Sequence, residues 1–163
     1  MEEKWSTIAE FPMYKVSNYG RIVNQYSGRE VRQSQTRSGL VKVGFFDNGE
    51  RYTRGVAYLV ADAFVFGRSD IFTTPIHLDV DHLNNHADNL RWRPRHFALA
   101  YFKQFKNTKS YELGRVVDLT TGIWYEDVVE AAMINGLLIK DILSRMVDRK
   151  PIFPTQQVFG FRE

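Results

Sequence analysis

Asp81 and His82 are the neighbouring residues with the clearest capacity for chemistry. They close a segment, residues 76–82, that is predicted to be extended. Neighbours on a strand point to opposite faces, but at a strand end both side chains can reach one solvent-facing site. A carboxylate can hold a hard divalent cation against a phosphate, and an imidazole can take a proton from water. The pair therefore has the composition of a phosphodiester hydrolase centre.

A plainer interpretation of His82 is a surface histidine at the end of a strand. Three further polar residues lie close by in the sequence, and each is predicted to face solvent rather than to bind a ligand: His77, Asp79 and His86. The chain contains no cysteine, so a disulfide framework and a thiolate zinc site are excluded, and a metal would have to be held by oxygen or imidazole. The lack of cysteine also favours a reducing compartment.

A basic segment without acidic residues follows at residues 91–109. Its cations are Arg91, Arg93, Arg95, Lys103, Lys106 and Lys109, and five aromatic residues lie between them. Basic charge interleaved with aromatic rings suits nucleic acid, because it combines phosphate contacts with stacking surfaces. The same pattern is also typical of a helix that has one solvated face and one packed aromatic face.

The net charge of +3 is unevenly distributed along the 163 residues. Residues 1–60 carry nine Lys and Arg against six Asp and Glu, whereas residues 111–163 carry six against eight. A polyanion is therefore expected to dock on the first two thirds of the chain. The N-terminus lacks the features of a signal peptide, and no apolar run approaches the roughly 20 residues of a membrane span, so a cytoplasmic protein without a membrane partner is expected.

The pattern of apolar residues and turns predicts an α+β fold made of three modules, at residues 1–66, 67–110 and 111–163. The first module contains short β-like runs, a hairpin at Asp47-Asn48-Gly49 and a helix with an apolar stripe over residues 56–64. The second has the extended segment, a polar turn at residues 84–88 and a helix that begins near Pro94.

The third module is predicted to be a β-hairpin around residues 120–122 followed by two short helices. The helices cover residues 127–134 and 137–147 and are separated by Asn135-Gly136. Two short helices joined by a tight turn are typical of a helix-turn-helix unit, although many helical hairpins that do not bind DNA look the same.

The string from Leu78 to Trp92 resembles the ββα-metal motif of HNH endonucleases, in which a Val-Asp-His strand end precedes an Asn-rich loop and Asn-Leu-x-Trp. The first module resembles the small DNA-binding module in front of HNH cores. The third resembles the helix-turn-helix module that often follows them. Because the three occur in order, nearly the whole chain resembles the phage and intron HNH homing endonucleases.

The resemblance implies a role for each residue of the string. His82 would be the general base, Asp81 would hold Mg²⁺ or Mn²⁺, and Asn89 would brace the motif through hydrogen bonds. Leu90 and Trp92 would pack in the core.

Two departures from the family pattern bear on activity. Only six residues separate His82 from Asn89, fewer than is usual, so a shortened loop is expected. The last metal ligand of the family would fall near Phe97 or Ala98, and neither can bind a metal. His96 is the nearest candidate for that role.

Two functions follow, and both involve double-stranded DNA. One is a metal-dependent endonuclease that nicks DNA. The alternative is a catalytically inactive HNH scaffold that binds DNA, a host protein such as the transcription machinery, or both, as a phage regulator or inhibitor. The expected location is the cytoplasm, which is that of the host cell if the protein is phage-encoded. The residues predicted to contact DNA are Arg21, Arg32, Lys42, Arg91, Arg93, Arg95, Lys103, Lys140, Ser144 and Arg145.

Overall fold

The computed structural model describes residues 2–106 and 114–161. It confirms an α+β fold with small antiparallel sheets. The chain divides into two compact units: the first takes the described part of residues 1–77 and 81–95, and the second takes residues 78–80 and the described part of 96–163. The three predicted modules stay a prediction about the sequence, and both Lys109 and the boundary predicted at residues 110 and 111 lie outside the described residues.

The first unit contains two three-stranded antiparallel sheets. The first sheet has the order β1 (Trp5–Thr7), β2 (Tyr14–Ser17) and β3 (Ile22–Asn24), and the second has the order β4 (Gln33–Gln35), β5 (Val41–Asp47) and β6 (Glu50–Gly55). Asp47 pairs with Glu50, and the two residues between them, Asn48 and Gly49, both have positive φ, at 49° and 84°. Asn-Gly suits this turn since both residues tolerate the left-handed region, and the predicted hairpin is confirmed.

Buried and exposed side chains alternate along β5, which identifies the buried side of the second sheet. Val43 and Phe45 are almost completely inaccessible, whereas Phe46 is 62% exposed. The Phe45 ring stacks on Phe11 with the ring centroids 4.5 Å apart. Helix α1 (Val56–Phe64) joins the same core through its stripe of Val56, Leu59, Val60 and Ala61. The predicted apolar stripe is therefore confirmed at Val56, Leu59 and Val60, whereas Ala63, which was also assigned to it, is exposed.

A two-stranded sheet completes the first unit. Strand β7 (Thr74–His77) pairs antiparallel with β8 (Leu90–Arg93), and a single 3₁₀ turn at Ala87–Asn89 precedes β8. Helix α2 (Arg95–Gln104) follows β8 directly after the buried Pro94. Two strands and a helix thus follow one another along the chain in the order that the resemblance implies. Leu90 and Trp92 are buried, as expected.

The second unit combines a small sheet with α2 and two further helices. The sheet has the order β10 (Trp124–Tyr125), β9 (Val116–Asp118) and β11 (Phe159–Phe161), and the helices are α3 (Val128–Asn135) and α4 (Ile139–Met146). On α2, the Tyr101 hydroxyl donates to the Leu78 carbonyl oxygen at 2.7 Å. The Gln104 side chain donates to the Leu137 carbonyl oxygen and accepts from the Ile139 amide, at 3.0 and 2.9 Å.

The turn between α3 and α4 is specified by its caps. Asp127 accepts from the Glu130 amide at the start of α3, and the Glu130 side chain in return accepts from the Glu126 amide. Gly136 ends the helix in the left-handed conformation at φ 62° and donates to the carbonyl oxygens of Ala132 and Met133. The two-helix arrangement is present, while its role as a DNA-binding helix-turn-helix stays a prediction.

Asp118 is the buried polar centre of the second unit, with no exposed surface. Its carboxylate accepts hydrogen bonds from the Thr120 amide, the Thr121 hydroxyl and the Gln157 amide, at 2.8, 2.7 and 2.8 Å. Burial alone would raise the pKa of this carboxyl, but the hydrogen bonds outweigh it and hold the pKa of Asp118 below its ordinary value.

Among the described residues, no helix combines the length and the apolarity needed to cross a membrane.

Phe45→Ala should destabilise the protein strongly, since it leaves a cavity where the ring stacks on Phe11. We expect the free energy of unfolding to fall by about 3–5 kcal/mol, measured by urea denaturation. Phe46→Ala, on the opposite side of the same strand, is the matched control and should change it by less than about 0.5 kcal/mol. Equal effects of the two substitutions would contradict the assignment of the buried side.

Asp118 should make stability depend on acid pH. Its folded pKa lies below the unfolded value, so its contribution is present above the ordinary carboxyl pKa and is lost as pH falls through the folded pKa. The unfolding midpoint of the wild type should therefore fall more steeply with acidification than that of Asp118→Asn. The unfolding midpoint of Asp70→Asn, a substitution at an exposed position, should fall with acidification as steeply as that of the wild type. Parallel profiles for wild type and Asp118→Asn would refute this role.

Candidate functional site

Strand β7 ends at His77, five residues earlier than the predicted extended segment. Pairing with β8 stops at His77 opposite Leu90, and residues 78–80 form a turn in which Val80 has φ 65°. A β-branched residue in this left-handed region is uncommon, because its side chain crowds the backbone. Asp81 and His82 therefore lie in the loop after β7, and the predicted strand end at His82 is wrong.

This loop runs over residues 78–89, from the end of β7 to the start of β8. The six residues between His82 and Asn89 are only its second part. The prediction that this stretch is shorter than in the family concerns the number of residues between His82 and Asn89, and it stays a prediction.

His77 is the residue whose environment was least expected. It was predicted to face solvent, yet it is only 1% exposed. His77 Nε2 lies 3.0 Å from Oδ1 of Asn85, which is itself 5% exposed, and His77 Nδ1 lies 3.4 Å from His82 Nδ1. The rings of His77 and His82 meet edge to face at 75° with their centroids 5.2 Å apart. His77, His82 and Asn85 form one contact group, which we term the histidine cluster.

Asp81 lies at the exposed side of the loop, next to the histidine cluster in sequence. Its Oδ1 accepts from the Leu83 amide at 2.9 Å, and its carbonyl oxygen accepts from the Asn84 amide at 3.2 Å. These local bonds fix a tight turn, as Asp side chains commonly do. Asp79 is exposed, as predicted.

Asn89 spans the loop from its far end. Its Nδ2 donates to the Asn84 carbonyl oxygen at 2.8 Å, which ties the residue before β8 to the middle of the loop. His86 was predicted to face solvent, but it is half-buried: its Nδ1 accepts from the Asp88 amide at 3.2 Å and its ring packs edge-on against Tyr19 at 4.6 Å. His86 therefore caps the 3₁₀ turn, which is a structural role.

The chemistry of the donors limits which metal this loop suits. Among the described residues, no group of three His, Asp or Glu side chains has a geometry that could hold a metal ion. Asp81 offers a single exposed carboxylate. One hard oxygen donor suits a cation that keeps most of its water, as Mg²⁺ does, and does not suit an ion held by protein ligands alone.

Helix α2 carries the two positions near which the last ligand of the family pattern was expected. Phe97 and Ala98 are both 3% exposed and belong to the packed side of the helix. His96 is exposed in the first turn.

The residues predicted to contact DNA have different surroundings. Exposed positions are taken by Arg21, Arg32, Lys42, Arg91, Arg95, Lys103, Lys140, Ser144 and Arg145. Arg93 differs, since it is 7% exposed and its guanidinium donates to the Trp92 carbonyl oxygen at 2.9 Å. It was expected near phosphates, but its place in the structure is among buried residues. Arg91 and Arg93 lie on the same side of β8, where Arg91 is exposed, so strand alternation does not explain the burial of Arg93.

Arg21 is exposed but electrostatically occupied. Its guanidinium contacts Glu30 at 3.3 Å and Glu3 at 3.0 Å, and it lies 5.6 Å from the centre of the Trp5 ring. The hydrogen bond with Glu30, followed by the charge of Glu3, raises the pKa of Arg21 above its ordinary value. A phosphate would have to compete with these carboxylates.

The outer face of the second sheet is the side opposite Val43 and Phe45, and we term it the cationic sheet face. The register places the following described residues together on it, none of them acidic: Ser34, Lys42, Gly44, Phe46, Arg51 and Thr53. The Arg51 guanidinium lies over Gly44, where an added Cβ would be only 3.0 Å from Nε. The acidic pair Asp47 and Glu50 belongs to the other side.

Sequence reasoning missed Arg51 and Phe46 on this face. The signal was present, because Lys42, Gly44 and Phe46 alternate with the buried positions of β5. The predicted hairpin also fixes the register, which pairs Phe46 with Arg51 on this face.

Comparison with known proteins gives one matching family model and two curated relatives. The NUMOD4 motif matches residues 3–46. An uncharacterized HNH endonuclease, L245, of Acanthamoeba polyphaga mimivirus is 36% identical over 92% of this chain and 46% of its own length. The DNA endonuclease I-HmuI of Bacillus phage SP01 is 33% identical over 48% of this chain and 45% of its own length. The chain thus spans a little under half the length of these curated relatives.

A solved structure gives the same indication at the level of the fold. This structure, which concerns DNA binding and cleavage by the HNH homing endonuclease I-HmuI, superimposes on the chain with a TM-score of 0.58, and the alignment covers 98% of each chain. The sequence identity in that alignment is 22%, so the likeness is one of fold.

Proposed function

We propose that the chain is a protein of the HNH homing endonuclease type, which binds double-stranded DNA and hydrolyses a phosphodiester bond there when a divalent cation is present. The cationic sheet face carries the DNA-binding half of the proposal. The hydrolytic half is supported by Asp81 and by its neighbour His82, which belongs to the histidine cluster. A protein that acts on phage or host DNA would work in the cytoplasm of the host cell.

The cationic sheet face suits a duplex for reasons of charge and shape. Lys42 and Arg51 project from neighbouring strands, and Arg32 is exposed immediately before β4. Each cation that neutralises a phosphate releases counterions from DNA, which favours binding at low salt. The exposed Phe46 ring at the end of the face offers an apolar surface to sugars or bases.

Further DNA contacts are proposed for exposed basic residues, and for one serine, outside this face. In the first unit these are Arg21, Arg91 and Arg95. In the second unit they are Lys103 on α2 and Lys140, Ser144 and Arg145 on α4, the second helix of the pair. The Ser144 hydroxyl donates to the Asp141 carbonyl oxygen, so it would act on DNA as an acceptor or after rotation. Arg93 is left out of this proposal because it is buried.

For hydrolysis, His82 would be the general base and Asn89 would brace the loop that holds it. Asp81 and His96 are the proposed ligands of Mg²⁺ or Mn²⁺. Such a cation, when bound, supplies positive charge against the phosphate and the developing charge of the reaction. Asp81 is within one residue of the base, so the loop would present base and ligand to the same phosphate.

A second candidate function is DNA binding without cleavage, on a scaffold that also contacts a host protein such as the transcription machinery. The observation in its favour is that the described residues contain no group of three metal-binding side chains. Phe97 and Ala98, at the position where the family pattern has its last ligand, are packed in the core. Binding would survive such a loss, since it depends on many separate cations.

Replacing both strand cations, as Lys42→Gln with Arg51→Gln, should weaken duplex binding and reduce its salt dependence. Two lost phosphate contacts correspond to a decrease of about 2 in the slope of log K against log salt concentration. Fluorescence anisotropy with a labelled duplex from low to moderate salt measures it. Arg54→Gln is the matched control, because Arg54 lies on β6 but on the other side, paired with Glu10. A double variant with the wild-type slope would show that DNA binds elsewhere.

His82→Ala should abolish nicking of supercoiled DNA in Mg²⁺ or Mn²⁺ and leave DNA retention unchanged, because it removes the base and no surface cation. Agarose gels of nicked and supercoiled forms measure the first effect and filter binding the second. His86→Gln, in the same loop, should nick as the wild type does. Salt-sensitive retention with no nicking by the wild type would instead support the second candidate function.

A further inference from the structure

The histidine cluster contains two imidazoles, but the proposed hydrolysis uses only one. His82 is half-buried, while His77 is almost completely enclosed at the end of β7. Asn85 contacts His77 and also donates to the loop around His82. The buried His77 therefore contacts the proposed base directly and through Asn85.

The orientation of the Asn85 amide follows from its surroundings. Its Nδ2 lies 3.3 Å from the His82 carbonyl oxygen and 3.4 Å from the Leu83 carbonyl oxygen, and both of these atoms can only accept. The nitrogen must therefore point to them, which turns Oδ1 towards His77. Since Oδ1 can only accept, His77 Nε2 carries a hydrogen and donates it across 3.0 Å.

The hydrogen on His77 Nε2 decides the state of the next ring. A neutral imidazole carries a hydrogen on one nitrogen only, so His77 Nδ1 is an acceptor. His82 Nδ1 faces it at 3.4 Å and must donate if the two nitrogens are to be compatible. The lone pair of a neutral His82 ring is then on Nε2. The ring is also bounded by Gly39, where an added Cβ would lie 3.4 Å from His82 Cδ2.

From these contacts we infer that His77 is a positioning residue: with Asn85, it holds His82 in the tautomer whose basic nitrogen is Nε2. The inference rests on the proposed function in taking His82 as the base. In the hydrolytic step, Nε2 accepts a proton from a water molecule while the water oxygen forms a bond to phosphorus. The bond from phosphorus to one sugar oxygen breaks, and that oxygen keeps the electron pair and takes a proton from solvent.

Nitrogen NMR tests the tautomers without any need for cleavage. The chain has four histidines, so long-range ¹H–¹⁵N spectra of protein labelled at histidine can be assigned with one substitution for each. In the wild type we expect His77 with its proton on Nε2 and His82 with its proton on Nδ1. Asn85→Ala should move both rings towards a mixture of tautomers. His86→Gln, elsewhere in the loop, should leave the His82 signals unchanged.

Two results would overturn the inference. One is a wild-type His82 with its proton on Nε2, and the other is a His82 spectrum that Asn85→Ala leaves unchanged. The wild-type spectrum decides the first without a substitution, so the test holds even where a variant of the buried cluster fails to fold.

Kinetics separates positioning from direct catalysis. His77→Gln should lower kcat by about 10- to 100-fold with KM little changed, because the loss concerns the orientation of the base rather than DNA binding. Cleavage that survives His82→Gln but disappears in His77→Gln would make His77 the base and overturn the inference. The expected tautomers in a protein that does not nick would leave the positioning role intact and refute only the hydrolytic function.

Discussion

The pairing of β7 with β8 is the constraint on which the site depends. Its register ends at His77 opposite Leu90, and everything between these two residues becomes loop. Because β7 stops there, His77 is enclosed, Asp81 reaches the exposed side of the loop, and His82 returns to contact His77. A strand longer by five residues would have carried alternate side chains to opposite faces and separated these groups. The histidine cluster is therefore a product of where pairing stops.

The sequence was sufficient for elements specified by local rules. Asn48-Gly49 predicted the hairpin because few other residues tolerate its backbone, and the spacing of Val56, Leu59 and Val60 predicted the buried side of α1. The recognition of the family, made from residues 78–92 and the modules on either side, is confirmed by relatives that are HNH endonucleases. These successes share a cause, since each depends on neighbours in the chain.

The sequence was insufficient where distant contacts decide. The extended segment predicted for residues 76–82 continued a strand through Val80, but the backbone turns there with a positive φ that no propensity of valine would suggest. Arg93 was expected at the surface by its charge, yet it is buried beside Trp92. His77 was expected in solvent because histidine is polar, whereas the amide of Asn85 satisfies it inside. For His77 the partner that makes burial tolerable is Asn85, a residue of the loop eight positions further along the chain.

The proposed DNA binding depends on many residues, whereas the proposed hydrolysis depends on two. Substitutions can therefore remove one activity without the other. The proposed DNA contacts are spread over cations on several elements, each of which would contribute a similar and independent electrostatic gain. Hydrolysis depends on the relative placement of one carboxylate and one imidazole, for which a single altered contact is enough to remove activity. A scaffold can therefore lose cleavage while it keeps its affinity, whereas the reverse would require many surface changes. Phe97 and Ala98 are packed in the core and offer no metal ligand, which would affect the proposed hydrolysis and not the proposed DNA binding.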